Sequence, residues 1–154
     1  MAVIFPMTRG SFEFRLRQPA MDSDRTILIA FDGECLMCSR SIRFIAERDR
    51  HDRIRLTRLQ GELGREVSGA AGEAPPDTML VRRGGQVLDR SDAVIAVLET
   101  LGGIWKLPAG LSRLLPKAWR DGLYNFIAAR RYRWFGKGDA CSLPSEALQR
   151  RLLP

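Results

Sequence analysis

Two cysteines separated by two residues are the part of this sequence best suited to chemistry. Cys35 and Cys38 follow a short apolar run and a polar turn, and they lead into a stretch with helical spacing. A cysteine at the start of a helix lies among unpaired backbone N–H groups and at the positive end of the helix dipole, and both favour the thiolate. One helical turn also brings two sulfur atoms close enough to form a disulfide. The spacing therefore predicts a reactive dithiol in which Cys35 attacks a disulfide and Cys38 resolves the mixed disulfide.

The spacing of apolar residues after the cysteines predicts how the two thiols are oriented. Cys38, Ile42 and Ile45 share one helix face, and charged residues cover the other. We therefore expect Cys38 to point inward and Cys35 to lie at the open mouth of the helix. Asp32, three residues before Cys35, either exchanges a proton with the dithiol or shapes the turn by accepting hydrogen bonds from nearby backbone N–H groups.

The stretch FDGECLMC resembles the D-x-x-C-x-x-C signature of the DCC family of thiol-disulfide oxidoreductases, with Asp32, Cys35 and Cys38 at its three named positions. The similarity continues through RSIRFIAERDR, DTMLVRRGG, RSDAVIAVL, the LP…RD..Y…A..RY..FG stretch and DACSLP, and it covers roughly residues 26–144. The resemblance implies a thioredoxin-like fold and dithiol/disulfide exchange.

The order of predicted elements agrees with that resemblance. Residues 26–31 and 53–59 have strand patterns on either side of the first helix, which predicts a βαβ unit with parallel strands. A hairpin follows at 77–89, and Ser91 is placed to cap the next helix. We predict an α/β, thioredoxin-like three-layer fold with a central mixed four-stranded sheet and an added C-terminal helical extension.

The chain is predicted to have one domain between two tails. A flexible N-terminal tail occupies 1–25, the thioredoxin-like DCC domain 26–144 and a C-terminal tail 145–154. The extension includes a long helix at 117–134 with a regularly spaced aromatic face. We expect that face to pack against the domain, and the alternative is a basic helix on a membrane surface. The residues of that face are Trp119, Leu123, Phe126, Ile127 and Arg130.

Four residues are candidates for substrate binding. Thioredoxin-like proteins commonly place a cis-proline before the third strand, facing the dithiol. In this chain the resemblance puts Asp77 at that place, followed by Thr78. Ser91 and Asp92 begin the helix after the hairpin, near the same edge of the sheet, and capping that helix is their alternative role.

Composition limits the classes of function. A chain of 154 residues, 45% hydrophobic and 28% charged, suits one globular domain with a real core. No apolar run approaches the roughly 18 residues that span a bilayer, so no stable membrane insertion is expected. The opening MAVIFPM lacks the regions of a secretory signal. The net charge of +7 comes from scattered arginines, so a solvated surface is expected and nucleic-acid binding is not.

The sequence thus predicts a thiol-disulfide oxidoreductase. Its partners would be a protein or small-molecule disulfide substrate and an external thiol reductant, and neither a metal nor another cofactor is expected. Three cysteines, two of them in the motif, suit a reducing compartment, so a cytoplasmic location is predicted.

Two alternatives remain open. The first is a zinc-stabilised binding module, because the chain has four soft ligands in Cys35, Cys38, Cys141 and His51. The second is a basic adaptor that binds acidic protein, nucleic acid or lipid through Arg130, Arg131, Arg133 and their neighbours.

Overall fold

A mixed four-stranded sheet is the centre of the protein, whose computed structural model describes residues 25–70, 78–138 and 145–153. The sheet order is β2-β1-β3-β4. β2 pairs with β1 in parallel, whereas β3 pairs antiparallel with both β1 and β4. The predicted α/β architecture with a mixed sheet is therefore confirmed. The strands are β1 (Ile27–Phe31), β2 (Ile54–Arg58), β3 (Leu80–Arg83) and β4 (Gln86–Asp89).

Six α-helices lie within the described ranges. A single 3-10 turn at Gly103–Trp105 separates the third from the fourth. Their order confirms the βαβ unit, the hairpin, the helix after it and the helical extension. The helices are α1 (Leu36–Arg48), α2 (Glu62–Ala70), α3 (Arg90–Leu101), α4 (Lys106–Arg113), α5 (Lys117–Phe135) and α6 (Glu146–Arg151).

β1 is buried on both faces because it is a central strand between two helical layers. Ile27, Ile29 and Phe31 face the core that α1, α3 and α6 close. Leu28 and Ala30, which alternate with them, face the smaller core under α2. Burying each large apolar side chain contributes about 1.5–3 kcal/mol. The strand ends immediately before the turn that leads to the cysteines, so this packing fixes the position of the dithiol.

The buried face of α1 is shifted by one residue from the predicted face. Ser39, Ile42 and Ala46 are its buried residues, whereas Cys38 and Ile45 are only half-buried. Ile42 is common to both sets. The shift rotates Cys38 away from the centre of the core.

Most of the predicted aromatic face of α5 does not pack against the domain, so that prediction was wrong, although Ile127 and Arg130 of the face are half-buried. Trp119 is 74% exposed, Leu123 63% and Phe126 48%. α5 instead packs onto α3 and α1 through its opposite side. The inward residues there include Tyr124 and Arg131, and a helix with apolar residues on both sides gave no unique signal for its buried face.

The end of the chain forms a helix that packs on the domain. In residues 145–154, interpreted from sequence as a tail, Leu148 of α6 lies in the main core. The guanidinium of Arg151 donates to the carboxylate of Asp49 at 3.1 Å, and both side chains are at most 9% exposed. The predicted domain limits themselves stay a prediction, because residues 1–24 and 139–144 are outside the described ranges.

Candidate redox site

Cys35 is the N-cap residue of α1. Its backbone is extended, with φ −89° and ψ 115°, and its Sγ accepts a hydrogen bond from the backbone N–H of Cys38 at an N···S distance of 3.4 Å. Both thiols are free. A backbone N–H aimed at a sulfur atom favours negative charge on that sulfur. The N-terminal position of Cys35 on the helix is thus as predicted.

The exposure of the two cysteines is the reverse of what the sequence predicted. Cys35 is 0% exposed, whereas Cys38 is half-buried and lines a cavity. The cover over Cys35 comes from residues 136–138, which follow α5. Lys137 pairs with Cys35 in an isolated β-bridge, and the N–H of Gly138 donates to the carbonyl of Glu34 at 3.1 Å.

Cys38 keeps its proton at neutral pH. Burial, a hydrogen bond to Cys35 and the negative charge of Cys35 together raise the pKa of Cys38 to about 12. The positive charge of Arg131 opposes that rise, and the carboxylate of Asp32 adds to it. Cys38 is therefore retained as a thiol, whereas the Sγ of Cys35 has a backbone N–H directed at it.

Asp32 is a buried carboxylate at the end of β1. Its Oδ1 accepts hydrogen bonds from the backbone N–H of Glu34 at 3.0 Å and from the amide of Gln60 at 3.1 Å. Its Oδ2 accepts from the guanidinium of Arg131 at 3.4 Å and from the hydroxyl of Tyr132. The first of these bonds is the turn-shaping interaction that the sequence suggested.

The hydrogen bonds keep Asp32 ionised. Burial alone would raise its pKa, but the bonds from Tyr132, Glu34 and Gln60 and the charge of Arg131 outweigh burial and lower it. Burial and the bond to Asp32 raise the pKa of Tyr132 to about 12, so its hydroxyl retains a proton to donate. A carboxylate held in this way is a poor proton donor at neutral pH.

Arg131 is the site residue that sequence reasoning misplaced. The sequence grouped it with a basic surface, yet its side chain is only 4% exposed and faces Asp32 and the cysteines. Burial would lower its pKa, but electrostatic interactions with Cys38, Tyr132 and Cys35 raise it above the ordinary value. The basic-adaptor alternative therefore loses one of its three named residues. The sequence did contain a signal for this residue, because Arg131 and Tyr132 are the RY pair of the LP…RD..Y…A..RY..FG stretch that resembles the family.

A cavity of about 550 Å³ lies beside Cys38, between α1, α3 and α5. Its walls are mostly apolar, and the polar groups among them include the thiol of Cys38, the hydroxyl of Tyr124 and the guanidinium of Arg131. Such a cavity suits an apolar portion of a ligand placed next to a sulfur. Other wall residues are Phe31, Met37, Ile45, Met79, Val97 and Ile127.

Of the four residues proposed from sequence for substrate binding, the three that the structure describes do not line this cavity. Thr78 is buried, and Asp77 is outside the described residues. Ser91 is not the cap of α3 as expected, because the helix begins at Arg90 and the Ser91 hydroxyl bonds to the carboxylate of Asp121. Asp92 forms ion pairs with two basic residues of α5, Lys117 and Arg120.

The zinc arrangement considered from sequence lacks one of its ligands. His51 is exposed just beyond the C-terminal end of α1, whereas Cys35 and Cys38 are at the N-terminal end. A helix of 13 residues separates them by about 20 Å. Among the described residues no cluster of three potential metal ligands occurs, and Cys141 is outside them.

A free dithiol at the start of a helix, on a mixed sheet of this order, defines a thioredoxin-like redox protein. The chain belongs to the family of DCC1-like thiol-disulfide oxidoreductases, whose model matches residues 29–137. That range includes Asp32, both motif cysteines, Arg131 and Tyr132. The resemblance given by the motif is thereby confirmed, and the family supports a redox role.

Two relatives agree with this membership. The chain is 39% identical over 129 residues to the uncharacterized protein YuxK of Bacillus subtilis (strain 168), which covers 82% of this chain and 93% of YuxK. It is 29% identical over 124 residues to a chloroplastic DCC family protein of Arabidopsis thaliana, which covers 79% and 72% of the two chains. No solved structure has significant similarity to the chain. None of the helices described reaches the length and apolarity that crossing a membrane requires.

Proposed function

We propose that this protein reduces or exchanges disulfides through Cys35 and Cys38. The observation that carries the proposal is the asymmetry of the pair. The Sγ of Cys35 receives the N–H of Cys38 at 3.4 Å, whereas the pKa of Cys38 is raised to about 12. One sulfur is thus set up as the nucleophile and the other as a retained thiol.

In the first step, the Cys35 thiolate attacks one sulfur of a substrate disulfide. A bond forms between Cys35 and that sulfur, the substrate S–S bond breaks, and the second substrate sulfur leaves as a thiolate that takes a proton from water. Because Cys35 is fully buried, this step requires residues 136–138 to move away from it.

In the second step, Cys38 loses its proton and attacks Cys35. Once Cys35 is in a mixed disulfide, it carries no negative charge and accepts no bond from the Cys38 thiol, so two of the causes that raise the Cys38 pKa disappear. The charge of Arg131, which lowers that pKa, remains. The proton of Cys38 passes to water, a Cys35–Cys38 bond forms, and the bond between Cys35 and the substrate sulfur breaks. That sulfur leaves as a thiolate, and the protein holds a Cys35–Cys38 disulfide. An external thiol reductant then supplies two electrons to restore the pair.

The cavity beside Cys38 supports a substrate with an apolar portion next to its disulfide. Its apolar walls would bind that portion, and Arg131 would favour negative charge on a departing sulfur. In a cytoplasmic location, as predicted from the cysteine usage, the cellular thiol pool would act as the reductant.

Reduction of insulin disulfides, driven by dithiothreitol and followed by turbidity, tests the proposal. The wild-type protein accelerates the reaction, and Cys35→Ser and Cys38→Ser each lose at least about 100-fold of the acceleration. Cys141→Ser serves as the matched control and retains it. Undiminished activity in Cys35→Ser refutes the proposed function.

A further inference from the structure

The outer sides of α4 and α5 have an unusual amount of exposed apolar surface. Ten of the twelve large hydrophobic side chains that are exposed in the described part of the chain lie between residues 104 and 135. Contiguous apolar surface of this kind marks an interaction site, whereas single exposed apolar residues do not. We define the α4–α5 face as Ile104, Leu107, Leu111, Leu114, Leu115, Trp119, Leu123 and Phe126.

The spacing of these residues makes the face continuous along both helices. Four residues from Ile104 to Leu114 recur every three or four positions and are 68–80% exposed. Trp119, Leu123 and Phe126 continue the pattern on α5. Both α4 and α5 pack onto α3 with the sides that do not carry these residues. The exposed apolar residues of the two helices therefore point away from α3.

The α4–α5 face is bordered by positive charge. Between residues 104 and 135 the chain has six basic side chains besides the buried Arg131 and one acidic side chain, Asp121. Lys117 and Arg113 are neutralised in part by carboxylates of α3. Lys106 and Arg133 have no ion-pair partner among the described residues. Basic side chains beside exposed leucine and tryptophan are typical of helices that lie in the interface of a bilayer.

We propose that the α4–α5 face docks this protein on the surface of a membrane rich in anionic lipid. The apolar side chains would enter the headgroup and upper acyl region, and the basic rim would contact the lipid phosphates. A second copy of the chain fits the face less well, because a two-fold contact would bring two basic rims together. The docking is peripheral and independent of the redox chemistry, since no residue of the face is a residue of the dithiol site.

Cosedimentation of the full chain with large unilamellar vesicles tests the proposal. One set of vesicles is pure phosphatidylcholine, and the other contains phosphatidylglycerol. Binding is expected only or mainly to the second set, with a blue shift of tryptophan emission, and is weakened by added salt. Neutralising Lys106 and Arg133 to glutamine lowers affinity about fivefold for each residue.

The decisive variant is Leu107→Glu with Leu111→Glu, which is expected to lower binding at least about tenfold. His51→Glu with Gln86→Glu, at two exposed positions outside the face, is the matched control for two added negative charges, and it retains binding within about twofold. Far-ultraviolet circular dichroism and thermal unfolding of each variant verify that the domain is folded.

Three results would overturn the proposal. One is the absence of binding to anionic vesicles, or binding that the leucine substitutions leave unchanged. The second is a dimer that gel filtration detects and that the same substitutions dissociate, which assigns the face to a second copy. The third is binding that appears only after residues 1–24 are removed, which assigns the face to that segment.

Discussion

Arg131 and Asp32, 99 residues apart in the chain, form a buried ion pair at the dithiol site, with the guanidinium NH2 3.4 Å from Oδ2. The two charges act on the thiols in opposite directions, because Asp32 raises the pKa of Cys38 and Arg131 lowers it. The carboxylate of Asp32 can therefore shape the turn before the cysteines, because the charge of Arg131 offsets its repulsion of a thiolate in the site.

Replacing Arg131 by methionine is expected to weaken both the chemistry and the fold. The insulin reduction rate drops about tenfold, because the positive charge that lowers the pKa of Cys38 is lost while the carboxylate of Asp32, which raises that pKa, remains. Stability falls by about 3 kcal/mol in urea titration, since a buried carboxylate loses its partner. Arg133→Met, an exposed arginine on the same helix, is the control and changes neither quantity. A wild-type insulin reduction rate in the Arg131 variant would contradict this role.

The alkylation rate of Cys38 should depend on pH, and the presence of Cys35 should determine the pH range in which that rate rises. With a pKa of about 12, the Cys38 thiol reacts slowly with iodoacetamide at mildly alkaline pH despite its partial exposure, and its rate rises about tenfold per pH unit up to that value. In Cys35→Ser the hydrogen bond and the charge of Cys35 are lost, so the pKa of Cys38 decreases and the rate at a fixed alkaline pH increases. Peptide mass spectrometry after timed quenching measures the alkylation rate of Cys38 at each pH. The same pH dependence in the wild type and in Cys35→Ser would show that Cys35 does not influence the pKa of Cys38.

Loosening the cover over Cys35 should make that sulfur more reactive. The side chain of Leu36 lies close to Gly136 and Gly138, where an added Cβ would be 3.5–3.6 Å from its methyl carbons. Leu36→Ala removes this packing, so alkylation of Cys35 is expected to accelerate several-fold. Hydrogen exchange at the Gly138 N–H, which bonds to Glu34, should accelerate in parallel. An unchanged Cys35 rate together with faster exchange would show that the segment does not limit access.

The C-terminal helix should be needed for stability and not for chemistry. Arg151→Met leaves the Asp49 carboxylate buried without its partner, so the free energy of unfolding decreases by about 3 kcal/mol or more. Arg150→Met, at an exposed position on the same helix, is the control and stays within about 0.5 kcal/mol of wild type. Below the unfolding transition, insulin reduction per folded molecule remains unchanged. Loss of activity without loss of stability would assign Arg151 another role.

Much of the fold could be predicted because its signals are local. The apolar run of β1, the turn at Asp32 and the helical spacing after Cys35 are all read within about 20 residues. The antiparallel hairpin is likewise specified by its own glycines and strand patterns. These elements follow one another in the order found in thioredoxin-like proteins, so the topology of the sheet could be predicted as well.

The site was harder to predict from the sequence, because three of its parts come from segments far from the cysteines in the chain. The cover over Cys35 and the pair Arg131–Tyr132 follow the cysteines by roughly 100 residues. Periodicity gives the helix that carries Arg131 but not which side of it faces the dithiol, because α5 is apolar on both sides. The shift of one residue in the buried face of α1 leaves Cys38 half-buried, and residues 136–138 cover Cys35, so the expected exposure of the two cysteines is reversed.

The most direct test of the account is the identity of the cysteine that first bonds to substrate. When Cys38→Ser is incubated with a small aromatic disulfide, quenched in acid and analysed by peptide mass spectrometry, the account predicts a stable mixed disulfide on Cys35. It also predicts no comparable adduct on Cys38 in Cys35→Ser under the same conditions. A stable adduct on Cys38 of Cys35→Ser, with Cys35 unmodified in Cys38→Ser, would contradict it.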